Sequence, residues 1–237
     1  MTLRIDKTAA HWTLTLNRPD KLNALSAELV EALTDAFDEA AVAGVPVVAL
    51  RGEGRCFSAG FDMSDVALQT DGDLLLRFVR IETLLQRVAA SPCMTVAFAH
   101  GRNFGAGVDL VAACKLRVAA PDATFRTPGL KFGLVLGTRR FAAIVGTDEA
   151  RRLLETAATF EADRAFHIGF VERVSAPEQW QEIMADAIAR AAALTPCARK
   201  QLYAALHGGH EDTDLAALAR SAAEPGIGKR IAAYLAR

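Results

Sequence analysis

The stretch Ala99–Cys114, AHGRNFGAGVDLVAAC, decides how this chain is read. A short apolar run enters it, three glycines (Gly101, Gly105 and Gly107) follow within seven residues, and a carboxylate, Asp109, comes almost at once. Glycine permits backbone conformations and close approaches that a side chain forbids, and N–H groups in the first turn of a helix are ready donors to an anionic oxygen. Two readings stand: a reaction centre with main-chain donors beside an acid, or a turn whose glycines merely allow tight helix packing. Either way the stretch is a strand, a turn and a buried helix of about 107–113.

The same unit recurs outward from it. Upstream, LRID and HWTLTLN form a hairpin, with Trp12, Leu14 and Leu16 on one face at period two. Ser26 caps a helix over about 27–41 whose stripe is Leu29, Val30, Leu33 and Phe37, with Glu28 in its first turn. PVVALRG is a buried strand, 73–89 a helix closed by Pro92, and CMTVAFA a second buried strand. Downstream come the strands KLRVAA and ATFRTP, helices from Thr147 and over 163–167, a short strand FVERV, and a long amphipathic helix over 177–194. Beyond Pro196 the pattern is an Ala-rich helix, a loop HGGHEDTD and two more helices. Strand and helix alternate three times, which predicts a mixed α/β sheet of crossover units covered by helices. The chain divides into a core over 1–195 and a helical C-terminal region over 196–237, whose Ala-rich faces suit packing on another subunit.

With 27 basic and 28 acidic residues, and 51% apolar content, the chain has a large core and no field to collect nucleic acid or coat an anionic membrane. Four scattered cysteines without a Cys-x-x-Cys pair, and no secretory leader, predict a reduced cytoplasmic protein without disulfides or zinc. The longest apolar run, near 42–50, holds Gly44 and Pro46 and falls short of the roughly 18 residues of a membrane span. His207 and His210 alone have ligand-like spacing, but two glycines separate them, so no metal site is expected. His100 reads as a strand-end histidine with its hydrogen bonds satisfied, and the doublets Arg139-Arg140 and Arg151-Arg152 read as solvated helix faces.

A second strand-end turn with small residues, CFSAGFD over 56–62, matches the first. Two such turns suggest paired backbone donors, an oxyanion hole for charge developing on a carbonyl oxygen. A nucleophile elbow is disfavoured because Cys56 stands where Gly-x-Ser-x-Gly requires glycine. Neither a Walker loop nor the Gly-x-Gly-x-x-Gly order of dinucleotide folds is present.

Taken together, NRPDKLNALS (17–26), CFSAGFDMSDV (56–66), AHGRNFGAGVDLVAACKLRVAAPDATF (99–125) and EADRAFHIGFVERV (161–174) resemble the crotonase family of enoyl-CoA hydratases and isomerases, in family order and over about 3–205. The resemblance implies a crotonase-like spiral of ββα crossover units with a helical C-terminal region, assembled as a homotrimer or dimer of trimers. It implies an acyl-CoA substrate, with coenzyme A present only as part of the thioester and no separate cofactor. The adenine is expected near the FSAGFDM turn and the pantetheine running to the reaction centre, with Ala24, Ser58, Ala59, Asp62, Met63, Gly105 and Gly129 as substrate-binding positions. The family's oxyanion donors match the N–H groups of Phe61 and Ala106, which makes the two turns one site. Of the two glutamates of family hydratases, the first matches Asp109 and the second Gly129. Leu136 stands near where some isomerases and the dehalogenases carry an aspartate. With one carboxylate a proton can be lifted and returned elsewhere on the substrate, so isomerisation is favoured over hydration. Three alternatives remain: an acyl-CoA-binding or regulatory subunit that lost its chemistry, an acyl-CoA hydrolase or lyase, and a structural Asp109 bonded to N–H groups of its own turn. Phe61, Phe104, Leu130, Phe132 and Phe141 are candidates for an apolar pocket or for plain core packing.

Overall fold

Hydrophobic alternation lays down the first strands, and burial on both faces turns the later ones into a central sheet. The computed structural model describes residues 1–236, with the side chain of His207 outside the described residues, so the expectation about the His207–His210 pair falls there too. The elements in order are β1 (Leu3–Lys7), β2 (His11–Leu16), α1 (Ala27–Ala43), β3 (Val47–Gly52), α2 (Asp71–Ala90), β4 (Met94–Ala99), β5 (Arg102–Phe104), α3 (Ala106–Ala113), β6 (Leu116–Ala119) and β7 (Thr124–Arg126). They continue with α4 (Thr138–Val145), α5 (Thr147–Thr156), β8 (Phe160–Glu161), α6 (Ala162–His167), β9 (Arg173–Val174), α7 (Trp180–Ala192), α8 (Pro196–His207), α9 (Glu211–Ala223) and α10 (Ile227–Leu235).

One sheet has the order β1-β2-β3-β4-β6-β9, antiparallel at its first pair and parallel thereafter. Every residue of β4 is buried, as expected of a parallel strand covered on both faces. One face carries the main core with α1, α2 and α3; on the other, Val47, Ala49, Met94, Val96, Phe98 and Val118 pack against Ile183, Ala187 and Ala191 of α7. A smaller sheet, β5-β7-β8, holds the Gly-rich stretch against the segment after β7. This is the mixed α/β architecture of a crotonase-like fold.

The Ser26 cap stands as expected, its Oγ accepting from Leu29 N–H at 3.3 Å. Ser26→Ala removes that acceptor and lowers stability by about 1 kcal/mol, read as a Tm lower by about 2–4 °C in a chain of this size. An unchanged Tm would show the cap to be idle.

Other boundaries differ for local reasons. α2 starts at Asp71 because Thr70 and Asp73 cap each other's backbone reciprocally. α3 starts at Ala106, one residue earlier than the glycines suggest. Pro177 opens a single 3-10 turn before α7, and FVERV pairs only over Arg173–Val174. The HGGHEDTD loop shrinks to three residues between α8 and α9, since Glu211, Asp212 and Asp214 supply an acidic first turn. α9 and α10 pack on their own chain: Arg139 of α4 binds Asp214 at 2.7 Å, Ser221 Oγ accepts from Val135 N–H at 3.0 Å, and Asp71 accepts from Gly226 and Gly228 N–H at 2.8 and 3.2 Å. Among the described residues, no helix is long and apolar enough to cross a membrane.

Candidate active site

The two small-residue turns meet. Ser58 forms an isolated parallel bridge with Asn103, and its carbonyl accepts from Phe104 N–H at 3.0 Å. Ser58 Oγ donates to Asn23 O at 2.9 Å and accepts from Gly60 N–H at 3.1 Å, which curls the first turn back on itself. Gly60 has φ +83°, and a methyl group there would stand 2.2 Å from Phe104 O and 3.1 Å from Ala106 N. Only a glycine allows this approach, and it places Phe61 beside the start of α3.

Leu25 N–H donates to Gly60 O and Asp62 N–H to Leu25 O, so the Phe61 N–H between them has no part in that pairing. Ala106 N–H, at the first position of α3, likewise finds no acceptor among the described residues. Both residues are buried. Orphaned buried N–H groups are rare in folded proteins, and here two belong to residues lining one cavity of about 270 Å³.

The cavity brings together Ala59, Phe61, Met63, Gly105, Ala106, Asp109 and Gly129 of the expected positions. It does not include Ala24, Ser58 or Asp62, which are spent on the turn itself. Ala24 O and Asp62 Oδ2 both accept from Arg18 Nη1, the latter at 2.8 Å, and Asp62 Oδ1 accepts from Ser64 N–H and Oγ–H. Burial pushes the Asp62 carboxyl up, but the Ser64 hydrogen bonds and Arg18 outweigh it and hold it below the ordinary value. Phe104, Leu130 and Phe132 line the cavity as expected, while Phe141 packs instead against Phe160 and Phe170. Phe61 stacks on Phe78 at 4.3 Å, with the Arg77 guanidinium 4.1 Å over its ring. Tyr234 of α10, which composition did not mark, closes one wall beside Phe132 at 5.5 Å.

Asp109 is the one carboxylate in the lining among the described residues. It is 5% exposed and accepts no hydrogen bond among them, so it is not tied to N–H groups of its own turn. Burial pushes it well above the usual carboxylate range; the Arg140 charge draws it back and the Glu82 charge pushes it further up. Gly137, with φ +62°, lies directly on this carboxyl: a methyl group at 137 would stand 2.1 Å from Asp109 Oδ1. Nothing in the sequence reading marked Gly137. At Gly129 a methyl group would come 3.1 Å from Leu134 O, so a side chain there asks its neighbour to give by a few tenths of an ångström.

The Arg139-Arg140 doublet corrects the sequence reading. Arg140 is buried and pairs with buried Glu82 at 2.9 Å, and Arg139 makes a forked contact with Asp214. Arg151 and Arg152 are exposed, as expected. His100 is only half satisfied: Nε2 meets Gly54 O at 2.9 Å, while buried Nδ1 has no partner.

Comparison with known proteins gives this geometry its context. The family model for enoyl-CoA hydratase/isomerase matches residues 6–224. A Mycobacterium tuberculosis (strain CDC 1551 / Oshkosh) protein that carries the name probable enoyl-CoA hydratase echA6 is 37% identical over 193 residues, 80% of this chain and 77% of that one. Human mitochondrial Delta(3,5)-Delta(2,4)-dienoyl-CoA isomerase is 32% identical over 203 residues, 78% of this chain and 61% of its own length. A solved structure from Bordetella parapertussis, assigned by name to the enoyl-CoA hydratase/isomerase class, superposes with a TM-score of 0.99 at 58% identity over 100% of this chain and 99% of that one. Strand-end turns that read as one site in the sequence meet around one carboxyl in the structure, and the chain belongs to the enoyl-CoA hydratase/isomerase family.

Proposed function

We propose that the protein is an enoyl-CoA isomerase that holds a thioester enolate between the N–H groups of Phe61 and Ala106 and moves one proton with Asp109. The observation that carries this reading is a cavity whose lining, among the described residues, has two unpartnered main-chain donors and a single carboxylate, itself without a hydrogen bond. Asp109 takes the proton from C2 of a 3-enoyl thioester, the electron pair runs into the carbonyl oxygen, and collapse of the enolate returns the proton at C4 to give the conjugated 2-enoyl product. Donors fixed in a dry site cost no reorganisation as the charge develops and contribute a few kcal/mol each. A carboxyl raised by burial is a stronger base than one in water, which suits abstraction from carbon. Hydration needs a second group to hold water, and Gly129 offers none. Coenzyme A enters as part of the substrate, and the apolar walls formed by Phe78, Phe132 and Leu134 suit an aliphatic acyl chain.

Supplying 3-enoyl-CoA and 2-enoyl-CoA in parallel tests this. The expected outcome is formation of the conjugated enoyl product at about 1–10³ s⁻¹, with hydration slower by orders of magnitude. Tight calorimetric binding of acyl-CoA with no turnover of either would instead support the binding-subunit reading, and release of free CoA thiol would support a hydrolase.

A further inference from the structure

Behind the cavity wall lies a set of buried charges that the proposed reaction does not use. Glu82 of α2 is 1% exposed and Arg140 of α4 is 9% exposed. Arg140 Nη2 donates to Glu82 Oε1 at 2.9 Å and lies 3.7 Å from Asp214 Oδ2. Gln86 Nε2 also donates to Glu82 Oε1, at 3.2 Å. The other guanidinium nitrogen, Arg140 Nη1, is buried with no partner. A buried donor left unpaired is costly, and on the neighbouring α3 the Asp109 carboxyl likewise accepts no hydrogen bond among the described residues.

The backbone brings the two together. α3 packs on both α2 and α4, and Gly137, the residue before α4, rests on the Asp109 carboxyl. Arg140 lies in the first turn of α4, three residues beyond Gly137. Glu82 and Arg140 are the charged groups felt at Asp109. The remaining ionisable neighbours are engaged elsewhere or line the cavity: Arg139 holds Asp214, Arg126 of β7 donates from Nε to Ala157 O at 3.0 Å, and Tyr234 of α10 is part of the lining.

We propose that Arg140 is a positioning residue for Asp109: its unpartnered nitrogen favours the anionic form of the carboxyl, and Glu82 sets how much of the guanidinium charge remains for that task. This rests on Asp109 as the base of the proposed reaction. Glu82 neutralises Arg140 in part, so removing its charge while keeping its shape frees positive charge for Asp109. Removing the guanidinium does the reverse.

The test follows the Asp109 side-chain carboxyl by ¹³C NMR, assigned by its loss in Asp109→Asn, alongside the pH profile of kcat/KM for a 3-enoyl-CoA. Glu82→Gln keeps acceptors for Arg140 and Gln86, and is expected to move the Asp109 midpoint down by about one pH unit, with the acid limb of kcat/KM moving in step. Arg140→Gln is expected to move both up by a similar amount. Because Arg140→Gln leaves Glu82 buried and alone, the double variant Glu82→Gln/Arg140→Gln serves as its folded counterpart, with a midpoint above that of Glu82→Gln. A purely structural pair would lower activity and leave the midpoints in place; a Glu82→Gln midpoint that coincides with that of the wild type, or with that of the double variant, overturns the proposal. If the wild type turns over no enoyl-CoA, the functional reading fails, and the NMR midpoints still decide the coupling.

Discussion

Asp109→Asn lowers turnover of 3-enoyl-CoA by about 10²–10⁴-fold, the contribution of a positioned base, and makes the protein more stable. The two effects share one cause. Burial holds the folded-state pKa of Asp109 well above that of the unfolded chain, whose value is about 3.9. Between those two values the native state binds more protons than the unfolded state, so stability falls as pH rises through that window. Below the unfolded value the penalty is absent, and above the folded value it is complete. Asparagine has no proton to lose and never incurs it. Thermal melts should therefore show Asp109→Asn above the wild type at neutral pH, with the gap closing toward pH 3; each 1 kcal/mol appears as about 2–4 °C. In the wild type, kcat/KM should rise with pH through a value above the ordinary carboxylate range. Turnover equal to wild type would remove Asp109 from the mechanism, and a lower Tm at neutral pH would show that its carboxylate is stabilised rather than strained.

Gly60→Ala is expected to cost both the site and much of the fold's stability. Its φ of +83° is unfavourable for any residue with a Cβ, and the added methyl meets Phe104 O at 2.2 Å and Ala106 N at 3.1 Å. The backbone conformation costs about 1–3 kcal/mol, and forcing the two turns apart costs about 1–3 kcal/mol more. Because those turns carry the Phe61 and Ala106 N–H groups, a shift of about 1 Å in their spacing lowers kcat by about 10²-fold. Circular dichroism melts and single-turnover assays on the purified variant check both. Activity retained within about twofold would mean that the spacing of these donors does not matter.

The strand–helix alternation and the two turns themselves were legible because they are written locally, whereas their joining into one site came from the family resemblance. Trp12, Leu14 and Leu16 alternate, Ser26 precedes an apolar stripe, and each turn shows its small residues within one short stretch. The charges behind the site were not. An arginine doublet at the start of a helix carries no sign that one member is buried, because that depends on Glu82, 58 positions away. Gly137 was hidden for the same reason: its contact is with Asp109, and nothing in GLVLGTRRF says which side chain its missing Cβ makes room for. The Thr70 cap escaped notice because its reciprocal partner is Asp73 rather than the more familiar glutamate or glutamine.

The cramped surroundings of Gly129 bear on how such a site can change over time. Leu134 O lies where the first side-chain atom would press, and Leu134 N–H in turn donates to Gly129 O at 2.9 Å. A side chain at 129 therefore asks the Leu134 backbone to give by a few tenths of an ångström. Gly137 places a similar lock on the neighbouring carboxyl, since Oδ1 already fills the space a Cβ would take. On the proposed one-carboxylate reading, a change of reaction at this site calls for an adjustment around residue 129 as well as a new carboxylate.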